Sequence, residues 1–265
     1  MNIDSVLKNN RWRSSPALGP AIVIGYGVAV VVAEAILVFS SVTTGLVCYA
    51  ILVIALLSHT ALAQSARYGR ALPVLALIPL LRILSLTVPA TRVPQVYWPA
   101  MVGIPLFIGV ALVIRLVGFS RATLGLGARP WLPQLLIALS GLPLGLAAFF
   151  ILRPKPLWPT PDLGELALGA LILLIFAGLL EEIIFRGMLL QVAGESLGRA
   201  GVFYSSALFA AMYLGSLSAG YVVFMGLVGL FFGWCVNRTS SIWGVILAHS
   251  LLSIGMVLVW PYVWL

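Results

Sequence analysis

Seven acidic residues occur in 265, and two of them are adjacent inside an apolar run: Leu179-Leu-Glu181-Glu182-Ile-Ile-Phe185-Arg186-Gly187. A charge at the centre of a bilayer costs roughly 2.5–3.5 kcal/mol on insertion scales, so neighbouring carboxylates in such a run demand compensation. Arg186 follows Glu182 by four residues and shares its helix face, which predicts an ion pair. Glu181 points about 100° away around the helix and is left to face a cavity, a water or another span. A carboxylate so placed can act as a base that activates water, with Glu182–Arg186 holding the geometry. The alternative is that all three form an interhelical polar lock.

His249 is the second ionisable group, in Gly244-Val-Ile-Leu-Ala-His249-Ser-Leu-Leu-Ser253. Counted from the inner ends of their spans, His249 and Glu181 both fall roughly 10–14 Å deep at 1.5 Å per residue. Two spans that place ionisable groups in one layer predict a shared site. Ser253 is one helical turn beyond His249 and can donate into the same cavity, or bond back to its own helix. A metal would require a carboxylate-rich set, Glu181, Glu182 and His249 with water, and a divalent ion such as zinc is the candidate. Glu34 and Arg82 form a separate case; both fall in the outer halves of their spans and are expected to pair as a structural lock. His59, near the inner part of span two, reads as a core or interfacial residue.

The elements that must carry these residues follow from composition. Hydrophobic residues make up 62% and charged residues 8%, against about 25% charged in soluble domains. Too few charges remain to solvate a globular surface, so the fold class is all-α, a polytopic transmembrane helical bundle. Nine apolar runs qualify as spans: 18–39, 44–63, 72–89, 99–117, 131–151, 164–190, 200–215, 218–236 and 242–263. The seventh is short and broken by Ser and Gly, so eight or nine spans are expected. A signal peptide is disfavoured because the first apolar run exceeds an h-region in length. Trp98, Trp131, Trp158, Trp243, Trp260 and Trp264 mark span ends, as an aromatic belt does.

With the N-terminus in the cytoplasm, ten Lys and Arg residues fall in inner segments and three in outer ones, which supports that orientation and a multi-pass location in the inner (plasma) membrane. The net charge of +8 is therefore topological, and its scatter excludes a nucleic-acid surface. A soft boundary at 152–163 separates five N-terminal helices (1–151) from a C-terminal core (152–265). Cys48 and Cys235 lie in apolar runs without metal or disulfide spacing. Gly141/Gly145 and Gly229/Gly233 allow close helix packing.

The run Glu181-Glu182-Ile-Ile-Phe185-Arg186-Gly187 resembles the Glu-Glu-x-x-x-Arg motif of the CAAX-processing and bacteriocin-processing intramembrane endopeptidases, the Abi or CPBP family. The segments Arg121–Gly127 and Arg238–His249 also look like stretches of that family, and the resemblance covers roughly residues 119–255. It implies that Glu181 is the catalytic glutamate, Glu182 its neighbour, Arg186 a structural arginine, Phe209 the Phe of a Phe-x-x-x-His motif and His249 an oxyanion donor. Two positions depart. Tyr213 stands where the family has His, and Ser253 where it has Asn or Asp. Tyrosine, with an ordinary pKa near 10, is a poor base. Loss of one oxyanion donor can cost about 10²–10³ in rate. The resemblance implies a membrane-proximal peptide or prenylated peptide, cleaved on the cytoplasmic side. The two replacements raise the alternative of a pseudoenzyme acting as a binding module or as an accessory subunit of a membrane complex. Membrane lipid is the remaining partner.

Overall fold

The structure, a computed structural model, describes residues 18–63, 66–88, 94–127 and 129–264; the basic N-terminal residues Lys8, Arg11 and Arg13 and the loop residue Arg92 lie outside them. Helices α1 (Leu18–Phe39) and α2 (Val42–Leu62) are joined by a tight turn in which Ser41 caps α2 through Thr44. A 3₁₀ turn leads into α3 (Ala71–Thr87), and α4 (Trp98–Val117) follows. Helices α5 (Trp131–Leu139) and α6 (Gly141–Leu152) together make one span.

Helix α7 (Leu163–Ile172) starts on a capping box between Asp162 and Glu165. The chain then continues through a π-helical stretch (Leu173–Leu179), the short α8 (Leu180–Glu182), a second π-helical stretch (Ile183–Leu189) and α9 (Leu190–Leu197). Gly198, at φ +58, ends this run. The chain reverses into α10 (Gly201–Ala211), and α11 (Ala219–Thr239), α12 (Trp243–Ile254) and α13 (Trp260–Trp264) complete the bundle.

Eight helical runs among the described residues are long and apolar enough to cross a membrane. The chain is thus a multi-pass helical membrane protein, and many of its apolar side chains face outward, including Ile51, Ile104, Leu136 and Leu227. Lipid, not water, is the solvent such a surface suits. The seventh expected span is not counted separately: α10 has 11 residues, about 16 Å of helix, against the ~30 Å of a bilayer core. It returns along the second half of the preceding run, where Ser205 Oγ donates to the Phe185 carbonyl at 3.0 Å.

Glycine sets several of these approaches. A Cβ on Gly145 would stand 2.8 Å from the Leu252 carbonyl oxygen, and one on Gly229 or Gly233 would stand 3.1 Å from Ser206 or Val202. Both Gly-x-x-x-Gly pairs therefore act as packing devices, joining α6 to α12 and α11 to α10. Gly178 does the same next to the polar core: a Cβ there would overlap Ser250 Oγ and stand 2.9 Å from the Ile246 carbonyl. Only glycine lets α12 lie close enough for His249 to reach Glu182.

Candidate functional site

The polar core begins with Glu182, which is fully buried. Its Oε1 accepts from Arg186 Nη1 at 2.7 Å. His249 Nδ1 lies 2.8 Å from the same oxygen and donates to it in the tautomer that carries the proton there. The i,i+4 spacing is thus realised as an ion pair, and His249 joins it through Glu182 rather than through Glu181. The Arg186 guanidinium lies over the Phe209 ring at 4.1 Å and near Phe232 at 5.4 Å. A desolvated guanidinium gains about 2 kcal/mol from such a face. Phe209 also meets His249 and Tyr213 edge-on, at ring-centroid distances of 5.7 and 5.2 Å. It is the wedge that holds both rings in place.

The start of α12 is fixed from another direction. The segment 119–127 is a turn; Gly125, at φ +73, accepts from the Ile242 amide at 3.0 Å. Gln134 accepts from the Gly244 amide at 2.7 Å. These contacts anchor α12 two turns before His249.

Glu181 makes no hydrogen bond to this cluster, although it lies within electrostatic reach of His249 and Arg186. It lines a cavity of about 190 Å³ together with Tyr213, whose hydroxyl donates to Glu181 Oε2 at 3.4 Å. The cavity walls are mostly apolar, with Val102, Leu106, Phe176 and Met212 among them. His249 and Ser253 are not among its lining residues. The six expected site residues therefore fall into two sets. Glu182, Arg186 and His249 form a closed cluster, and Glu181 and Tyr213 share the cavity. Ser253 is nearly buried one turn above His249 and takes part in neither.

Depth departs from the sequence expectation. The helical run continues to Leu197 rather than ending near residue 190. Its last turns are tied to the 3₁₀ turn before α3 by an exposed Arg70–Glu195 ion pair at 2.7 Å. Glu181 lies fourteen residues before Glu195, roughly 21 Å along the helix. The cavity is correspondingly built from Arg82 and Ser85, near the end of α3, and from Trp98 and Pro99, at the start of α4.

Arg82 is the residue whose place the sequence misassigned. Its pairing with Glu34 is as expected: Nε donates to Glu34 Oε2 at 2.7 Å and Nη2 to Oε1, while the Tyr49 hydroxyl donates to Oε2 at 2.5 Å. Yet Arg82 also lines the Glu181 cavity, so this pair is not separate from the site. Trp98 was read only as an aromatic-belt residue, and it too is a cavity wall. His59 sits between Tyr26 and Tyr68, at 3.1 and 3.5 Å from their hydroxyls.

The donors do not fit a divalent cation. Among the described residues no three His, Cys, Asp or Glu side chains converge as a ligand set. A guanidinium and the His249 ring already share Glu182 Oε1. Glu182 Oε2 is buried without a hydrogen-bond partner, but it stands beside that same cation.

The chain is an all-α membrane bundle with a buried carboxylate–guanidinium–imidazole cluster beside a cavity that Glu181 lines. Residues 163–255 match the family model Rce1-like, described as type II CAAX prenyl endopeptidase Rce1-like. Over that segment the chain is similar to the CPBP-type endopeptidases, and α1–α6 lie outside the match. Neither the curated proteins nor the solved structures compared with the chain include a match.

Proposed function

We propose that this protein is a peptide-binding relative of the prenyl endopeptidases, receiving an apolar membrane-proximal peptide in the Glu181 cavity without hydrolysing it. The observation that carries this reading is the separation of the two halves of the expected machinery. Glu181 opens into the cavity, while His249 is committed to Glu182 and Ser253 is outside the lining. A tetrahedral oxyanion formed in the cavity would find neither of them on its wall. Tyr213 donates to the carboxylate and so supplies no second base. The Glu182–Arg186–His249 cluster then serves to hold the helices in register.

The cavity also bears on the direction of approach. Its walls come from the end of α3 and the start of α4. In the orientation set by the basic residues, these are the outer ends. The peptide therefore approaches from the face opposite the Arg-rich one, rather than from the cytoplasmic side. Such a module fits a role as an accessory subunit of a membrane complex. The test is labelling of the full chain in nanodiscs with an acetylated, amidated apolar peptide carrying a benzophenone. Adducts should map to Met212 or Val102, and Ala177→Trp, which fills the cavity, should abolish them. Labelling that survives the tryptophan would refute the reading.

A second reading keeps Glu181 as a base acting on water, favoured by its opening into a cavity with the Tyr213 hydroxyl beside it as a donor. It predicts that Glu181→Gln stops a cleavage the wild type performs.

A further inference from the structure

Five polar side chains line the Glu181 cavity: Arg82, Ser85, Trp98, Glu181 and Tyr213. Their hydrogen bonds decide what the cavity still offers. Ser85 spends its proton on the Arg82 carbonyl at 2.9 Å. Tyr213 spends its own on Glu181. The Trp98 indole N–H is buried and has no partner. Arg82 commits Nε and Nη2 to Glu34, and none of the hydrogen bonds between described residues uses Nη1. The remaining donors are thus Trp98 Nε1 and Arg82 Nη1, from helices outside the family match.

A buried donor left unpaired costs roughly 1–3 kcal/mol, so an acceptor in the cavity recovers more than an ordinary hydrogen bond would. Charge narrows the class of acceptor. Glu34 is fully buried and forms a two-point ion pair with Arg82, so this pair is already neutral. A second anion would crowd Glu34 and Glu181 in an apolar surround, where charge is poorly screened. A neutral carbonyl meets no such penalty.

We propose that Arg82 and Trp98 form a hydrogen-bond-donor pole of the cavity that holds a backbone carbonyl of the bound peptide, leaving the Glu181 carboxylate to accept from an N–H of the same ligand. This rests on the peptide-binding reading above. It assigns the ligand an uncharged amide rather than a free carboxylate.

The test compares three benzophenone probes on the full chain in nanodiscs: an acetylated, C-terminally amidated trileucine, its free-acid form and an alkane of matching length. Trp98→Phe keeps the ring wall and removes the indole donor. Glu34→Gln with Arg82→Gln removes the guanidinium and keeps the pair neutral, so neither variant strands a buried charge. Each should weaken labelling by the peptide about tenfold, the order of one hydrogen bond in a buried site, and leave alkane labelling unchanged. Equal losses for peptide and alkane, or no loss for the peptide, would overturn the donor pole. An effect confined to the free-acid form of the peptide would overturn the neutral-acceptor assignment. Absence of any peptide labelling in the wild-type protein would instead sink the peptide-binding reading, and this inference with it.

Discussion

Replacing Arg186 by Met keeps most of the volume that packs on Phe209 and Phe232 but leaves Glu182 without its cation. Glu182 is 0% exposed and Arg186 2%, so water cannot compensate either group. Removing one partner of a buried pair costs about 3–5 kcal/mol, whereas replacing both with uncharged residues is close to neutral. For a chain of this size each kcal/mol shifts Tm by roughly 2–4 °C. Arg186→Met should therefore lower Tm by roughly 6–20 °C, and Glu182→Gln with Arg186→Met should recover most of that loss. Intrinsic-fluorescence melting in one detergent measures all three proteins. A single variant within about 2 °C of wild type, or a double variant as unstable as the single, would refute the buried-charge reasoning.

Gly178→Ala should cost about 1–3 kcal/mol by overpacking against Ser250, and Ser250→Ala in the same chain should return part of it, both read as Tm. Arg82→Gln alone should destabilise by about 3–5 kcal/mol, because Glu34 is left buried with only Tyr49, and adding Glu34→Gln should restore the melt. Tyr213→His, which restores the residue type implied by the family resemblance, should not by itself create peptide cleavage, because His249 and Ser253 stay outside the cavity; product formation in a mass-spectrometric turnover assay would contradict this. Arg70→Ala removes an exposed pair and should shift Tm by no more than the effect of about 1 kcal/mol.

Some of the site was legible before any coordinates. The Glu182–Arg186 pair follows from four-residue spacing in an apolar run, where each charge has few other remedies. Glu34–Arg82 followed from matched depth, whereas the depth match of His249 with Glu181 led to a bond with the neighbouring Glu182. What was not legible is which spans stand next to one another. Nothing in the residues around Arg82 or Trp98 says that the ends of α3 and α4 wall the Glu181 cavity, because that depends on helix order in the bundle. The depth of Glu181 was reckoned from a span ending at residue 190, before Gln191, Gly194 and Glu195. In the structure the helix runs on past them and gives Glu195 to Arg70. The short return helix α10 was foreseen only as an ambiguity. Its 11 residues suffice because it has to cover only the second half of its neighbour.

The most direct measurement of the central claim is the mass of the photo-adduct formed by the benzophenone peptide in the wild-type cavity, compared with that in Glu181→Gln. A binding cavity predicts the intact peptide in both, with no shorter product in the supernatant. Truncated peptide that appears with the wild type and disappears with Glu181→Gln would contradict the account and establish Glu181 as a working base.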